Sequence, residues 1–179
     1  MLYGSVFLET ITHGIIDNNK TKIMVINKTA AVAKTEMLIR RPVSEVFEAF
    51  ANPEITTKFW FTKSSGRLEE GKKREWTWEM YNLTVPVFVK SIVPGKTILI
   101  EWGKDPNKTT VEWTFRQVND HSTLVSIVHS GFTGSEEEIN SQVVDSTGGF
   151  SLVLAGLKAY LEHGVQLNLI ADRYSEGKH

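Results

Sequence analysis

The chain has 179 residues, 41% hydrophobic and 23% charged, the balance of an ordinary globular protein long enough to bury a sizeable core. Its 20 basic and 21 acidic residues leave a net charge of −1, which gives no field to hold a nucleic-acid backbone, so the short basic runs at Arg40–Arg41 and Lys72–Arg74 read as solvated surface. There is no cysteine, which removes disulfides, thiolate nucleophiles and thiolate metal sites and suits a cytoplasmic protein; no apolar run approaches the roughly 18–20 residues that span a bilayer.

Residues 1–32 read as an N-terminal extension. Its opening lacks a basic n-region and is interrupted by Glu9, His13 and Asp17, so it makes a poor signal peptide. Asp17-Asn18-Asn19 is a turn signal between two short β-prone segments, Val6 to Ile16 and Lys22 to Ile26, which suit a hairpin or an extra edge strand; a start of translation at Met24 is the alternative. The folded domain is expected over 33–164, with a tail at 165–179 that adds a turn or frays.

Ala33 to Arg41 alternates as a strand and stops at Pro42, after which Val46, Phe47, Ala49 and Phe50 fall at helical spacing until Asn52-Pro53 breaks the turn. A second short helix is expected over Glu54 to Phe59, followed by the aromatic knot Phe59-Trp60-Phe61. Five strands then follow. In the first, Arg74, Trp76, Trp78 and Met80 share one face; the second, Leu83 to Ile92, contains Pro86 and so suggests an edge or a bulge. Thr97 to Trp102 is the third, Val111, Trp113 and Phe115 mark the inward face of the fourth, and Val125, Ile127 and His129 that of the fifth, Thr123 to Gly131.

The chain's longest element is announced by Ser135 followed by Glu138, a capping-box spacing, with Glu136 and Glu137 adding charge that favours a helix start. Val143, Thr147, Phe150, Leu154, Leu157 and Leu161 recur at steps of four and three, and His163-Gly164 ends a helix about 40 Å long at 1.5 Å per residue. Gly148-Gly149 interrupts its middle, where each glycine costs roughly 1 kcal/mol relative to alanine. Either the pair lets the helix pack closely or bend, or it leaves room for a ligand. Together these elements make an α+β domain: a curved antiparallel sheet of about six strands, two short helices after the first strand, and one long C-terminal helix.

That order, with the segments MLIRRPVSEVFEAF, HSGF at His129 to Phe132 and GGFSLVLAGLKAYLEHG at Gly148 to Gly164, resembles the START-like helix-grip superfamily, also called SRPBCC or birch-allergen-like. Within it the chain looks most like the bacterial relatives of the activator of the heat-shock-protein-90 ATPase. Many members carry Trp after the helix glycine where this chain has Phe150. The resemblance implies an apolar cavity between sheet and long helix, and functions that range from lipid or polyketide binding to cyclase chemistry and chaperone contact. The residues that would face such a cavity are Phe50, Trp60, Trp76, Trp78, Met80 and Trp102, with Trp113, Phe115, His129, Phe150, Leu154 and Leu157; the same aromatics could equally fill a solid core.

Candidate chemistry is thin. His129 shares its face with Val125 and Ile127, while Arg74, Glu101 and Glu112 reach it only if strand parities slip; His13, His121, His163 and His179 have no metal-like spacing, and neither G-x-S-x-G, a P-loop nor H-E-x-x-H occurs. No catalytic residue, metal or cofactor is expected. Three functions remain open: binding of a small hydrophobic, lipid-like or aromatic molecule, catalysis of cyclase or hydrolase type on such a molecule, or contact with a protein partner.

Overall fold

The computed structural model describes residues 31–173. The expected N-terminal hairpin and the Met24 start lie outside them. The alternating segments form one sheet of seven antiparallel strands: β1 (Ala33–Ile39), β2 (Lys63–Ser64), β3 (Lys73–Trp78), β4 (Leu83–Val93), β5 (Thr97–Trp102), β6 (Thr109–Asn119) and β7 (Ser122–Ser130), in the order β1-β7-β6-β5-β4-β3-β2. The helices are α1 (Val43–Ala51), α2 (Pro53–Thr56), α3 (Glu136–His163) and α4 (Leu169–Asp172). The sheet curves round α3, the helix-grip arrangement.

Register carries the inward parity from strand to strand. Val89 lies opposite Ile100, Ile100 opposite Val111, Trp113 opposite Ile127 and Phe115 opposite Val125, so one face of the sheet is a continuous apolar surface. The long helix begins and ends as its sequence requires. Ser135 accepts from the Glu138 N–H while the Glu138 carboxylate accepts from Ser135, and Gly164 closes the far end at φ 69°. Its buried stretch is short: Phe150, Val153, Leu154, Gly156 and Leu157. Near its C-terminus Glu162 anchors it to the start of the sheet by accepting from the Arg40 N–H at 2.7 Å and from Lys158 at 2.6 Å.

Four details differ from the expectations. β3 stops at Trp78, because residues 79–81 turn into a single 3-10 turn that Asn82 ends in the left-handed region; Met80 therefore leaves the tryptophan face and is 41% exposed. Pro86 does not mark an edge. β4 is interior, so the edge reading fails, whereas the bulge reading holds for the strand, whose register shifts between Val89 and Ser91. The Pro86 carbonyl accepts from the Gly103 N–H at 3.0 Å; the N–H that proline lacks would point to the same side, where β5 has already ended at Trp102, so one terminal ladder bond is all that is lost. The two-residue β2 adds a seventh strand too short to show a period, and α2 spans only four residues, starting at Pro53 under the Asn52 cap. The tail contributes α4, which packs on α3.

Candidate functional site

Between the N-terminal half of α3 and the tips of β3 to β7 the packing opens into a cavity of about 760 Å³. Its apolar wall is aromatic. Trp102 stacks with Trp78 on one side (centroids 6.0 Å apart, planes 28° apart) and with the His129 imidazole on the other (6.0 Å, 29°), and Phe150 stands edge-on to Trp102 at 5.9 Å. Trp60, from the aromatic knot, lies 5.7 Å from both Trp102 and Phe150. Leu83, Val85, Phe132, Val153 and Ile170 complete the apolar lining.

One corner is polar. His129 Nδ1 lies 2.7 Å from the Ser146 hydroxyl on α3, and Nε2 lies 2.7 Å from the Thr109 hydroxyl on β6. Burial among Trp102, Phe132 and Phe150 removes the water that would stabilise an imidazolium, and the pKa is pushed down from 6.5 to about 4. The ring is therefore neutral at ordinary pH: one nitrogen donates to a hydroxyl and the other accepts from one. As a general base it is weak, and its hydrogen-bond partners are hydroxyls rather than a carboxylate. Among the described residues no group of His, Cys, Asp and Glu is placed to hold a metal ion.

The rim is built by the tail. Tyr81 donates its hydroxyl proton to the Ile170 carbonyl of α4, and Arg173 donates at 2.9 Å to both the carboxylate and the backbone carbonyl of Asp145. The glycine pair belongs to this contact. A Cβ on Gly149 would stand 2.6 Å from Arg173 Nη1 and one on Gly148 3.1 Å from Nη2, so the two glycines form the seat of a guanidinium. The close helix-to-core approach lies elsewhere, at Gly156, where a Cβ would be 3.2 Å from the Phe59 carbonyl oxygen.

Of the residues expected to face a cavity, Trp60, Trp78, Trp102, His129 and Phe150 line this one. Phe50, Trp76, Trp113, Phe115, Leu154 and Leu157 are buried in the closed core beside it, and Met80 is on the surface. Arg74 turns away to pair with Glu69; Glu101 pairs with Lys90 and Lys108, and Glu112 is exposed. Ser146, Thr109 and Val153 were missed although their spacing held the signal: Ser146 is one helical turn before Phe150, Val153 is three residues after it, and Thr109 shares parity with Val111 and Trp113. Tyr81, Ile170 and Arg173 carry no local pattern that would have found them.

The sequence matches the family described as activator of Hsp90 ATPase homolog 1-like protein over residues 40–162. A search of curated proteins gives no match. Among solved structures, protein SSP2350 from Staphylococcus saprophyticus is similar at 29% identity and TM-score 0.65, with 76% of this chain and 96% of that one covered. The Aha1 protein of Colwellia psychrerythraea, solved as a dimer, shares the fold at 17% identity and TM-score 0.65 over 75% of this chain and 98% of that one. An Hsp90 activator from Plasmodium falciparum does so at 15% identity and TM-score 0.58, over 73% and 96%. With 40–162 matched, the chain belongs to the activator of Hsp90 ATPase homolog 1-like family within the START-like, helix-grip proteins.

Proposed function

We propose that this protein binds a small hydrophobic molecule, aromatic or lipid-like, in the cavity between the sheet and α3. What supports this is the space itself: about 760 Å³ walled by tryptophan and phenylalanine, beside a core whose other aromatics close on one another. A cyclase or hydrolase reading gains little from His129, a weak base hydrogen-bonded to two hydroxyls. A protein partner is supported by the family description alone. The test is a broad hydrophobic library read by tryptophan fluorescence and thermal melting. A ligand at a hundredfold excess over its Kd stabilises the fold by about 2.7 kcal/mol and alters emission from Trp60, Trp78 or Trp102. A library that moves neither signal would refute the binding role and leave the protein-partner reading.

A further inference from the structure

The polar corner of the cavity has a donor and acceptor pattern that restricts what can be bound there. Ser146 sits on the cavity-facing side of α3, and its hydroxyl bonds His129 at 2.7 Å. A hydroxyl has one proton and two acceptor sites. If His129 Nδ1 carries the ring proton, Ser146 accepts from it and keeps its own proton for a ligand; if Nε2 carries it, Ser146 donates to Nδ1 and keeps an acceptor site. Thr109 takes the complementary part at Nε2, and where it accepts there its own proton reaches the Trp102 carbonyl at 3.4 Å, which leaves Ser146 as the group that meets a ligand. In either tautomer the corner offers hydrogen bonds to an uncharged oxygen.

Charge is a different matter. The cavity's charged lining residues are Asp145 and Arg173, which bond each other at 2.9 Å at the rim. Inside, the imidazole is packed between Trp102, Phe132 and Phe150, a setting that disfavours the imidazolium a carboxylate would need as a partner. Building on the binding role proposed above, we infer that the Thr109–His129–Ser146 corner selects ligands with an aromatic body and one uncharged hydroxyl or carbonyl, and discriminates against carboxylates.

Naphthalene, 2-naphthol and 2-naphthoate separate the two levels of this reading. They are titrated into the full chain near neutral pH, where the acid is ionised and the naphthol is not. Naphthalene reports the apolar cavity alone. The hydroxyl should tighten binding about fivefold, the worth of one net hydrogen bond, and 2-naphthoate should bind at least about tenfold more weakly than 2-naphthol. Ser146→Val, which covers the imidazole with methyl groups, should bring the ratio of 2-naphthol to naphthalene affinity from about five to about one. The comparison of the three ligands on the unaltered protein stands without the variant. Equal affinity for naphthalene and 2-naphthol, or 2-naphthoate binding as tightly as the naphthol, overturns the selectivity and leaves the cavity role intact. Failure of all three to bind overturns both.

Discussion

Acid should destabilise this protein through His129. Its pKa falls from 6.5 to about 4 on folding because the ring is desolvated. Between these values the unfolded chain binds a proton that the folded chain refuses, so stability rises with pH; it is fully present above about 6.5 and falls as pH drops toward 4. At about 1.4 kcal/mol per pKa unit the whole shift amounts to roughly 3 kcal/mol, of which about 2 is already lost at pH 5. The carboxyls of Glu48 and Glu162 also titrate below their ordinary range. Arg67 holds Glu48 down; at Glu162 burial opposes ionisation, but the Arg40 N–H and Lys158 outweigh it. Their contributions are present above the usual carboxylate range and disappear at lower pH, and they are common to wild type and variant. Urea denaturation at several values from pH 8 to 4.5, on wild type and His129→Phe, isolates the histidine. The variant starts lower because Ser146 and Thr109 lose a partner, yet its stability should stay flatter between pH 6.5 and 5 by about 2 kcal/mol. Parallel curves in that interval would show that the ring is not held neutral by the fold.

Further consequences concern the helix, the wall and the rim. Gly156→Ala places a methyl against the Phe59 backbone and should cost about 1–3 kcal/mol by denaturation. Gly149→Ala meets only the end of the Arg173 side chain and gains up to about 1 kcal/mol of helix propensity, so it should be neutral or stabilising; the reverse order of the two variants would refute the packing argument. Phe50→Ala, in the closed core, should cost the full 3–5 kcal/mol or so, whereas Phe150→Ala, already bordering open space, should cost clearly less and should change naphthalene affinity. Equal losses with unchanged affinity would remove Phe150 from the cavity wall. Tyr81→Phe removes the hydroxyl proton given to Ile170 and should speed release of bound 2-naphthol several-fold in stopped flow, for a stability change of about 1 kcal/mol; an unchanged release rate would show that α4 does not restrain the rim.

The fold was legible wherever a period of two or of 3.6 runs long enough to outweigh local composition. β6 shows this well: Val111, Trp113 and Phe115 are buried while Glu112, Thr114 and Arg116 are exposed. The ends of α3 were legible for a different reason, since Ser135 and Glu138 cap one end reciprocally and Gly164 closes the other in a left-handed turn, each by local chemistry. Parity misled at Met80 because alternation in sequence continues after the backbone has turned. Pro86 misled because its position along the neighbouring strand decides whether a missing N–H matters, and strand lengths relative to one another are not written in either strand alone.

The cavity was legible only as a face, and the difference between a filled face and an open one depends on how far each element extends. Trp76, Trp78 and Trp113 share parity with the wall, yet Trp76 and Trp113 are covered by the aromatic knot and by α1, while Trp78, which also packs on Trp60 and Phe61, ends β3 and still lines the cavity. The apolar stripe of α3 changes in the same direction along its length. From Phe150 to Leu157 it is pressed on the core, and one turn earlier, beside the stripe residue Thr147, the side chain facing the cavity is Ser146, whose hydroxyl meets His129 instead of a hydrocarbon neighbour. A polar residue on a buried stripe is a cost unless it has a partner. His129, on an apolar strand face, has the same need, and Thr109 on β6 completes the chain of bonds that satisfies both. Ser146 and Thr109 are inconspicuous alone, and His129 stands out only as a histidine on an apolar strand face. Their meeting follows from β6–β7 pairing and from the rotation of α3 above it, so the polar corner is a property of tertiary register. It is also where a ligand's oxygen would be recognised, at the point where two elements each break their own apolar pattern and pair with each other.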